Sequence, residues 1–370
     1  MHSRKLNPKH RSPRTAFTLV EIMVVIVIIG ILASILVPVL GGIIRRANEA
    51  AVKVEISSLE NAISDFKTKF SCHPPDHITL YEFSNLGTST SPPTGWAGDA
   101  ASRAKILKIW PRFNFALGRY LNNDSDTLDT IHLSGAECLV FFLGGMPHCN
   151  QNKNFFMTGF SKNPADPLRR RGEDRNGNGV LDTTPPPSED LNNNGILDPS
   201  VETRDGPFFE FPSSRLRDVD LPTNSSPGPD AFPEFIDTLA NQTAPYLYLS
   251  SNEGRGYSTA AGLVFHPNPP TPPVNSQTRP SLNMWPEINN PLSTPHWNRT
   301  SPYLQTAGGL SWKAKTFQII SPGFGPHENT ANQFCPYGIA DIYDPKNTGA
   351  LLPQDADNIT NFSAGGRMRP

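Results

Sequence analysis

The sequence has few cysteines and no dominant sign of charge. Only four cysteines occur in 370 residues, too few for a disulfide scaffold in a chain of this size. The formal net charge is -2, and the first 16 residues contain five Lys or Arg and no acidic residue. The remainder therefore has 27 basic against 34 acidic side chains. This acidic balance argues against nucleic-acid binding through bulk charge.

The chain also lacks the short motifs of common catalytic sites. It contains no HExxH, GxSxG, Walker or GxGxxG sequence, so we expect no enzymatic activity. Cys72-His73 and His148-Cys149 do not have the ligand spacing of a zinc site. Cys138 and Cys149 could close a short disulfide loop outside the cytoplasm, although four cysteines allow three full pairings.

Proline and glycine are abundant, at 38 and 28 residues, which excludes a compact all-helical protein because both residues interrupt helices. Ten of the prolines fall within residues 267–302. We expect this segment to be an extended surface loop.

One long apolar run stands near the amino terminus. Residues 22–44 contain no charged side chain, and 23 residues of helix would cross the hydrocarbon core of a bilayer. The basic leader before this run favours an amino terminus in the cytoplasm and a body outside it. The alternative, a cleaved secretory signal, usually has a shorter apolar region.

Glu21 stands at the border of this run, where burying a carboxylate in lipid costs free energy. A helix that serves only as a membrane anchor does not need a carboxylate at this position. Cleavage between Ala16 and Phe17 would place the new α-amino group of Phe17 one helical turn from Glu21, or near Glu21 of a neighbouring helix. The amino group could then neutralise the carboxylate.

The segment AFTLVE at residues 16–21 resembles the prepilin processing motif of type IV pilins and type II secretion pseudopilins. The resemblance implies that a membrane aspartyl peptidase cuts before Phe17 and methylates the new amino group. It also implies that Glu21 docks subunits into a helical filament. Ala16 replaces the usual glycine before the cut, and its small side chain still fits the steric demand.

The helix is expected to continue beyond the apolar run. Pro38 lacks a backbone N–H and is expected to bend or locally melt it. Residues 45–70 contain no Gly or Pro, and their periodicity predicts an amphipathic helix that ends near residue 75. The face predicted to be buried includes Ala47, Ala51, Val54, Leu59, Ala62, Ile63, Phe66 and Phe70.

Short apolar segments with polar turns follow this helix. Residues 246–250, 262–266 and 316–320 are predicted strands because they are rich in aromatic and β-branched residues. Residues 137–143 fit either a buried strand or the end of a helix that begins near Ser134. The predicted fold is therefore α+β: a long amino-terminal helix packed on a small antiparallel sheet, with a large Pro-rich loop insertion.

Residues 173–198 contain two copies of a motif with a period of 16 residues. Oxygen-bearing side chains recur at loop positions 1, 3, 5 and 9 and glycine at position 6, a pattern typical of a calcium loop. It resembles the Asp-rich loops of EF-hands, dockerins and thrombospondin type 3 repeats. Pro185 and Val201 replace the bidentate glutamate, so we expect weak affinity, roughly 10⁻⁴ to 10⁻³ M. A solvated Asn/Gly-rich turn is the alternative. The candidate ligands are Asp174, Asn176, Asn178, Asp182, Asp190, Asn192, Asn194 and Asp198.

A second resemblance lies near the carboxyl terminus. FQIISPG at residues 317–323, followed by DADNITNF at 355–362, is similar to the end of major pseudopilin chains, where a strand leads into a calcium-binding loop. It implies that Asp355 and Asp357 help to bind calcium. A polar turn that closes the sheet is the alternative.

These features predict a single-pass protein of the bacterial inner membrane. The predicted layout is a leader (1–16), a membrane and polymerisation helix (17–44), an amphipathic helix (45–75) and an extracytoplasmic domain (76–370) with a calcium-loop insertion near 173–202.

The resemblance implies a filament subunit of a type II secretion pseudopilus. Its partners would be the prepilin peptidase, other pilin-like subunits and the secretion machinery, with Ca²⁺ as cofactor. The alternatives are a type IV pilus subunit for adhesion, motility or DNA uptake, and a calcium-dependent binding module or enzyme anchored by a pilin-like helix.

Overall fold

The computed structural model describes eleven ranges of the chain. They are residues 18–85, 94–121, 129–149, 154–170, 203–217, 232–239, 245–257, 302–305, 310–324, 357–363 and 367–368. Both calcium-loop copies, the predicted strand at 262–266 and all of the Pro-rich segment except Pro302 lie outside these ranges.

The helix α1 (Leu19–Phe70) has 52 residues. Its backbone is helical at Pro38, so the predicted local melting is wrong, while the predicted bend stays a prediction. The helix ends five residues before the expected boundary, where Ser71 adopts a φ of 61° and its N–H donates to the Lys67 carbonyl at 2.7 Å. In the described part of the chain, no helix meets the length and apolarity that a membrane crossing requires.

Contacts divide the chain into two units, Met1–Asn48 and Glu49–Pro370. The described part of the first unit is helical from Leu19 onward. Among the described residues, the second unit contains the remainder of α1, two further α-helices and all of the strands. These helices are α2 (Ala100–Ile109) and α3 (Gly135–Gly144).

The strands form small antiparallel sheets, so the fold is α+β as predicted. β1 (Ile78–Tyr81) pairs with β4 (Thr130–Leu133), β2 (Ser84–Asn85) with β3 (Thr94–Gly95), β5 (Pro147–Cys149) with β6 (Phe155–Met157), β7 (Phe160–Ser161) with β8 (Arg204–Asp205), and β9 (Leu216–Arg217) with β10 (Glu234–Phe235). The three-stranded sheet contains β11 (Leu247–Ser250), β12 (Phe317–Ser321) and β13 (Ile359–Thr360), with β12 in the centre.

Two of the predicted strands are confirmed by β11 and β12, and the helical alternative for residues 137–143 is confirmed by α3. Ser134 and Glu137 start α3 as a capping box: Ser134 N donates to Glu137 Oε2 at 2.8 Å, and Glu137 N donates to Ser134 Oγ at 3.4 Å. This satisfies two backbone donors at the helix end. Every residue of α3 is buried.

The face of α1 that enters the core differs in part from the predicted one. Val52 and Ile56 are fully buried, whereas Val54 is 66% exposed and Ala51 is exposed. The prediction was wrong at Ala47, Ala51 and Val54, and it is confirmed at Leu59, Ala62, Ile63 and Phe66. Beyond this helix, the core is rich in aromatic side chains such as Phe141, Phe142, Trp96 and Tyr248.

Cys138 on α3 is a free, buried thiol, and Cys72 is another. The short disulfide loop between Cys138 and Cys149 is therefore not formed. Burial raises the pKa of both thiols, and a thiol held in its neutral form is a poor nucleophile and metal ligand.

A substitution at Gly135 tests the close packing between α3 and β11. A Cβ at this position would lie 2.1 Å from the Tyr248 carbonyl oxygen. Since backbone must move to relieve the clash, Gly135→Ala is expected to lower the free energy of unfolding by about 3 kcal/mol or more, measured by thermal denaturation. The control is Gly30→Ala on α1, where a Cβ would have no neighbour within 4 Å. Equal midpoints for the two variants would contradict the packing.

Candidate processing and assembly site

Thr18 and Glu21 form a capping box at the amino terminus of α1. Glu21 Oε2 accepts hydrogen bonds from Thr18 N at 2.7 Å and Thr18 Oγ1 at 2.8 Å. In return, Glu21 N donates to Thr18 Oγ1 at 3.2 Å. A carboxylate in the first turn also interacts favourably with the positive end of the helix dipole. Thr18 therefore caps the start of α1, and the carboxylate of Glu21 in the first turn lies beside it.

The first turns of α1 expose apolar side chains on every face. Their exposed fractions range from 49% at Val25 to 78% at Leu19. Such a surface is stable only when lipid or other protein covers it. The side chains concerned are Leu19, Val20, Ile22, Met23, Val24, Val25, Ile26, Val27, Ile28, Ile29, Ile31 and Leu32.

Within the second unit, polar residues of α1 hold the carboxyl-terminal segment. Lys53 Nζ donates to the main-chain oxygens of Thr360 at 2.5 Å and Ser363 at 2.7 Å. Burial lowers the pKa of the Lys53 ammonium, and the Glu60 carboxylate opposes this shift. One turn before Lys53, Glu49 forms an ion pair with Arg367 at 2.7 Å.

Asn361 connects α1 to the central strand β12. Its Nδ2 donates to Glu60 Oε1 at 2.9 Å and to the Phe317 carbonyl at 3.2 Å, while its Oδ1 accepts from Ile319 N at 3.1 Å. This side chain therefore extends the hydrogen bonding of β12 beyond the two residue pairs that it forms with β13.

Glu55 joins α1 to the segment around β9 and β10. Its two carboxylate oxygens accept from Arg215 Nη1 at 2.7 Å and Nη2 at 2.6 Å. Tyr246 Oη donates to the same carboxylate at 2.6 Å. The Arg215 guanidinium also lies 4.2 Å from the centroid of the Phe235 ring. A bidentate pair of this kind is stronger than a neutral hydrogen bond and fixes orientation.

The end of β12 is built around Gly323 and two carboxylates. Gly323 has a φ of 77°, and a Cβ there would lie 2.4 Å from the Asp357 carbonyl oxygen. Asp357 Oδ2 accepts from Phe324 N at 3.0 Å. Asp237 accepts from Ser321 Oγ and from Leu239 N. Burial raises the pKa of Asp237 to about 6, with the hydrogen bond from Ser321 opposing the shift.

The structure describes only some of the predicted site residues. Glu21 lies at the helix start and Asp357 lies beside β12, while Pro38 lies within α1. Ala16, Phe17, Asp355 and the eight calcium-loop candidates lie outside the described residues. Among those that are described, no three His, Cys, Asp or Glu side chains cluster in a way that could hold a metal ion.

Sequence reasoning missed the polar contacts of α1. Lys53, Glu55 and Glu60 were not singled out because their partners lie far along the chain, at Thr360, Arg215 and Asn361. The Ser/Thr-x-x-Glu signature of the capping box is present at Thr18-Leu19-Val20-Glu21 and could have identified the helix start.

The capping box and the exposed apolar side chains define a class of protein in which lipid or other protein must cover the first half of a long helix. The profile described as "Prokaryotic N-terminal methylation motif" matches residues 11–37, the segment that contains the predicted cleavage site, Thr18 and Glu21.

Three curated relatives of this chain have the same description. The type II secretion system core protein G of Vibrio cholerae is 44% identical over 66 residues, 18% of this chain and 45% of that protein. The protein of the same description from Aeromonas hydrophila is 37% identical over 83 residues, 22% of this chain and 58% of its own length. The one from Pseudomonas aeruginosa is 32% identical over 100 residues, 27% of this chain and 70% of its own length.

The chain belongs to the family of the type II secretion system core protein G, and the resemblance to pseudopilins is confirmed. It spans about half the length of the Vibrio cholerae and Aeromonas hydrophila proteins. About three quarters of this chain lies outside the matches. No solved structure matches the chain.

Lys53 allows a direct test of how α1 holds the carboxyl-terminal turn. Lys53→Met keeps the length of the side chain but removes both hydrogen bonds to main-chain oxygens. We expect a loss of about 2–4 kcal/mol in unfolding free energy, since each bond involves a charged donor, and faster amide hydrogen exchange at residues 357–363.

The matched control is Lys69→Met on the same helix. Lys69 forms an exposed ion pair with Asp205 at 2.9 Å, and such pairs contribute about 1 kcal/mol or less. Equal losses for the two variants, or unchanged exchange at residues 357–363 in Lys53→Met, would show that Lys53 does not hold the turn.

Proposed function

We propose that the protein is a structural subunit of a type II secretion pseudopilus, cut between Ala16 and Phe17 and methylated on the amino group of Phe17. The observation that carries the proposal is the start of α1, where an acidic capping residue heads a helix with apolar side chains exposed on every face. The match to the methylation motif and the similarity to core protein G support it.

In this proposal, the exposed apolar part of α1 lies first in the membrane and then among other subunits. Before assembly, residues 17–44 lie in the inner membrane, with the basic leader in the cytoplasm and the body outside, as the charge distribution favours. After assembly, the same side chains pack against helices of neighbouring copies. Burial of apolar side chains stabilises either state by about 25 cal/mol per Å².

Glu21 supplies the specificity of this packing. A carboxylate can accept about four hydrogen bonds, and the contacts with Thr18 use two of them. The remaining capacity suits the methylated amino group of Phe17 on an adjacent subunit. In a membrane or helix bundle, a carboxylate and an ammonium that pair with each other avoid the cost of burying either one alone.

Replacement of Glu21 by glutamine separates its role in capping α1 from its proposed role in binding the amino group of a neighbouring subunit. Glu21→Gln keeps an acceptor for Thr18 N, so the helix still begins at the same place, but it removes the charge that would bind the amino group. We expect normal cleavage and N-methylation, and at least a ten-fold loss of filaments, measured by mass spectrometry and by the filament fraction sheared from cells.

The control is Asp65→Asn, which makes the same chemical change at an exposed position of α1 and should leave assembly unchanged. Wild-type filament yield from Glu21→Gln would refute the role of its charge. Long filaments displayed on the cell surface, instead of short periplasmic ones, would favour the alternative of a type IV pilus subunit.

Calcium is the cofactor that we propose for this subunit. The two Asp/Asn loops between Asp174 and Asp198 and the carboxylates of Asp355 and Asp357 provide hard oxygen donors, which Ca²⁺ prefers. Asp357 lies where β12 ends, so an ion bound there would support the same turn that Lys53 holds.

Calcium titration of the full chain in detergent is the test. We expect heat of binding with an affinity of roughly 10⁻⁴ to 10⁻³ M, and the loss of part of that heat in Asp174→Ala/Asp182→Ala. Asp65→Ala, an exposed carboxylate outside both loops, should titrate like the wild type. Identical titrations for the loop variant and the wild type would exclude binding at the first loop.

A further inference from the structure

A cavity of about 480 Å³ opens beside the end of α1. Its walls come from three places in the second unit: residues 72–75 after α1, the face of α2 that carries Lys105 and Lys108, and the segment 250–257 at the end of β11. The volume lies in the range of small-molecule binding sites. The proposed secretion role makes no use of this cavity.

The turn that forms one wall has an unusual backbone. Asn252, Glu253, Gly254 and Gly256 all have positive φ, between 49° and 105°. Left-handed conformations cost free energy at residues other than glycine. Hydrogen bonds from Gly254 N to Ser251 Oγ at 3.2 Å and from Gly256 N to the Ser251 carbonyl at 3.1 Å hold the turn in this shape.

Three cationic side chains line the cavity: Lys105 and Lys108 on α2, and Arg255 on the turn. Lys105 Nζ donates to the His77 carbonyl at 2.7 Å, so it is partly satisfied. The side chains of Lys108 and Arg255 are exposed, and neither side chain forms a hydrogen bond or ion pair with any residue that the structure describes. Two cations in one concave site thus have unused donors.

Among the lining residues that the structure describes, Glu253 is the one acidic side chain, and it already has partners. Its Oε1 accepts from His73 N at 2.7 Å, and its Oε2 lies 3.5 Å from Lys67 Nζ. Burial raises the pKa of Glu253, but the hydrogen bond from His73 N and the charges of His73, Lys67 and Lys108 outweigh it, so the pKa lies below its ordinary value. An ionised Glu253 with these partners leaves a net positive cavity.

Part of the remaining wall is apolar. Pro74, Pro75 and Ile109 are buried residues whose surfaces line the cavity, and they can contact methylene groups. An ammonium and a guanidinium next to such a surface favour a small organic molecule with one or two anionic groups. We propose that this cavity binds a small organic anion through Lys108 and Arg255, with a carboxylate or phosphate as the recognised group.

The test is isothermal titration of the full chain in detergent with sodium glutarate and, separately, with inorganic phosphate, at constant ionic strength. We expect saturable binding of at least one anion, and the preferred anion identifies the recognised group. Lys108→Gln/Arg255→Gln should weaken the affinity at least ten-fold because two charge-assisted hydrogen bonds are lost.

The matched control is Arg112→Gln/Lys162→Gln. It removes the same two residue types and the same charge from exposed positions outside the cavity, so it should bind like the wild type. Both pairs lie on the surface and should leave the unfolding temperature unchanged. The absence of saturable binding up to about 10 mM, or equal weakening in both variants, would overturn the proposal.

Discussion

The bidentate contact between Glu55 and Arg215 connects α1 to the rest of the second unit. Glu55 belongs to the same helical turns that bury Val52 and Ile56, and its partner lies 160 residues further along the chain. The side chains of both residues are mostly buried, and removal of one partner from a buried pair costs about 3–5 kcal/mol. The segment that carries Arg215 is therefore fixed to the helix, and Tyr246, directly before β11, donates to the same carboxylate.

The two ends of α1 have different surroundings and therefore different side-chain patterns. Residues 19–32 have apolar side chains on all faces, so they require cover from lipid or from other subunits. From Glu49 onward, the buried apolar side chains lie on one stripe. The polar side chains Lys53, Glu55 and Glu60 bind parts of the fold that are distant in sequence. The apolar stripe drives burial, while the polar contacts determine which segments lie against the helix.

The sequence predicted those features whose causes are local. The processing motif, the long helix, its end to within a few residues, and the strands β11 and β12 follow from neighbouring residues and their periodicity. The buried face of α1 was predicted less well, because Ala47, Ala51 and Val54 are as apolar as the residues that face the core. The buried face contains Val52 and Ile56, which share a core cluster with residues far along the chain, such as Ile319. No local pattern connects those distant residues to α1.

For the candidate sites, too, the sequence predicted the feature with a local cause and missed the feature that depends on distant segments. Glu21 was identified from its position at the border of an apolar run, and the structure adds its hydrogen bonds with Thr18. The cavity beside α2 was not predicted, since its lining comes from three separate segments and its cations look like ordinary surface residues in the sequence. Positive φ at Asn252 and Glu253 is likewise a property of the folded turn.

The proposed function depends on maturation of this chain as a prepilin. The most direct measurement is a mass spectrum of the protein purified from native membranes. We predict an amino-terminal peptide that begins with N-methylated Phe17. An amino terminus at Met1, or one created by a cut beyond Ile44, would contradict it and leave an anchored or secreted protein in place of a filament subunit.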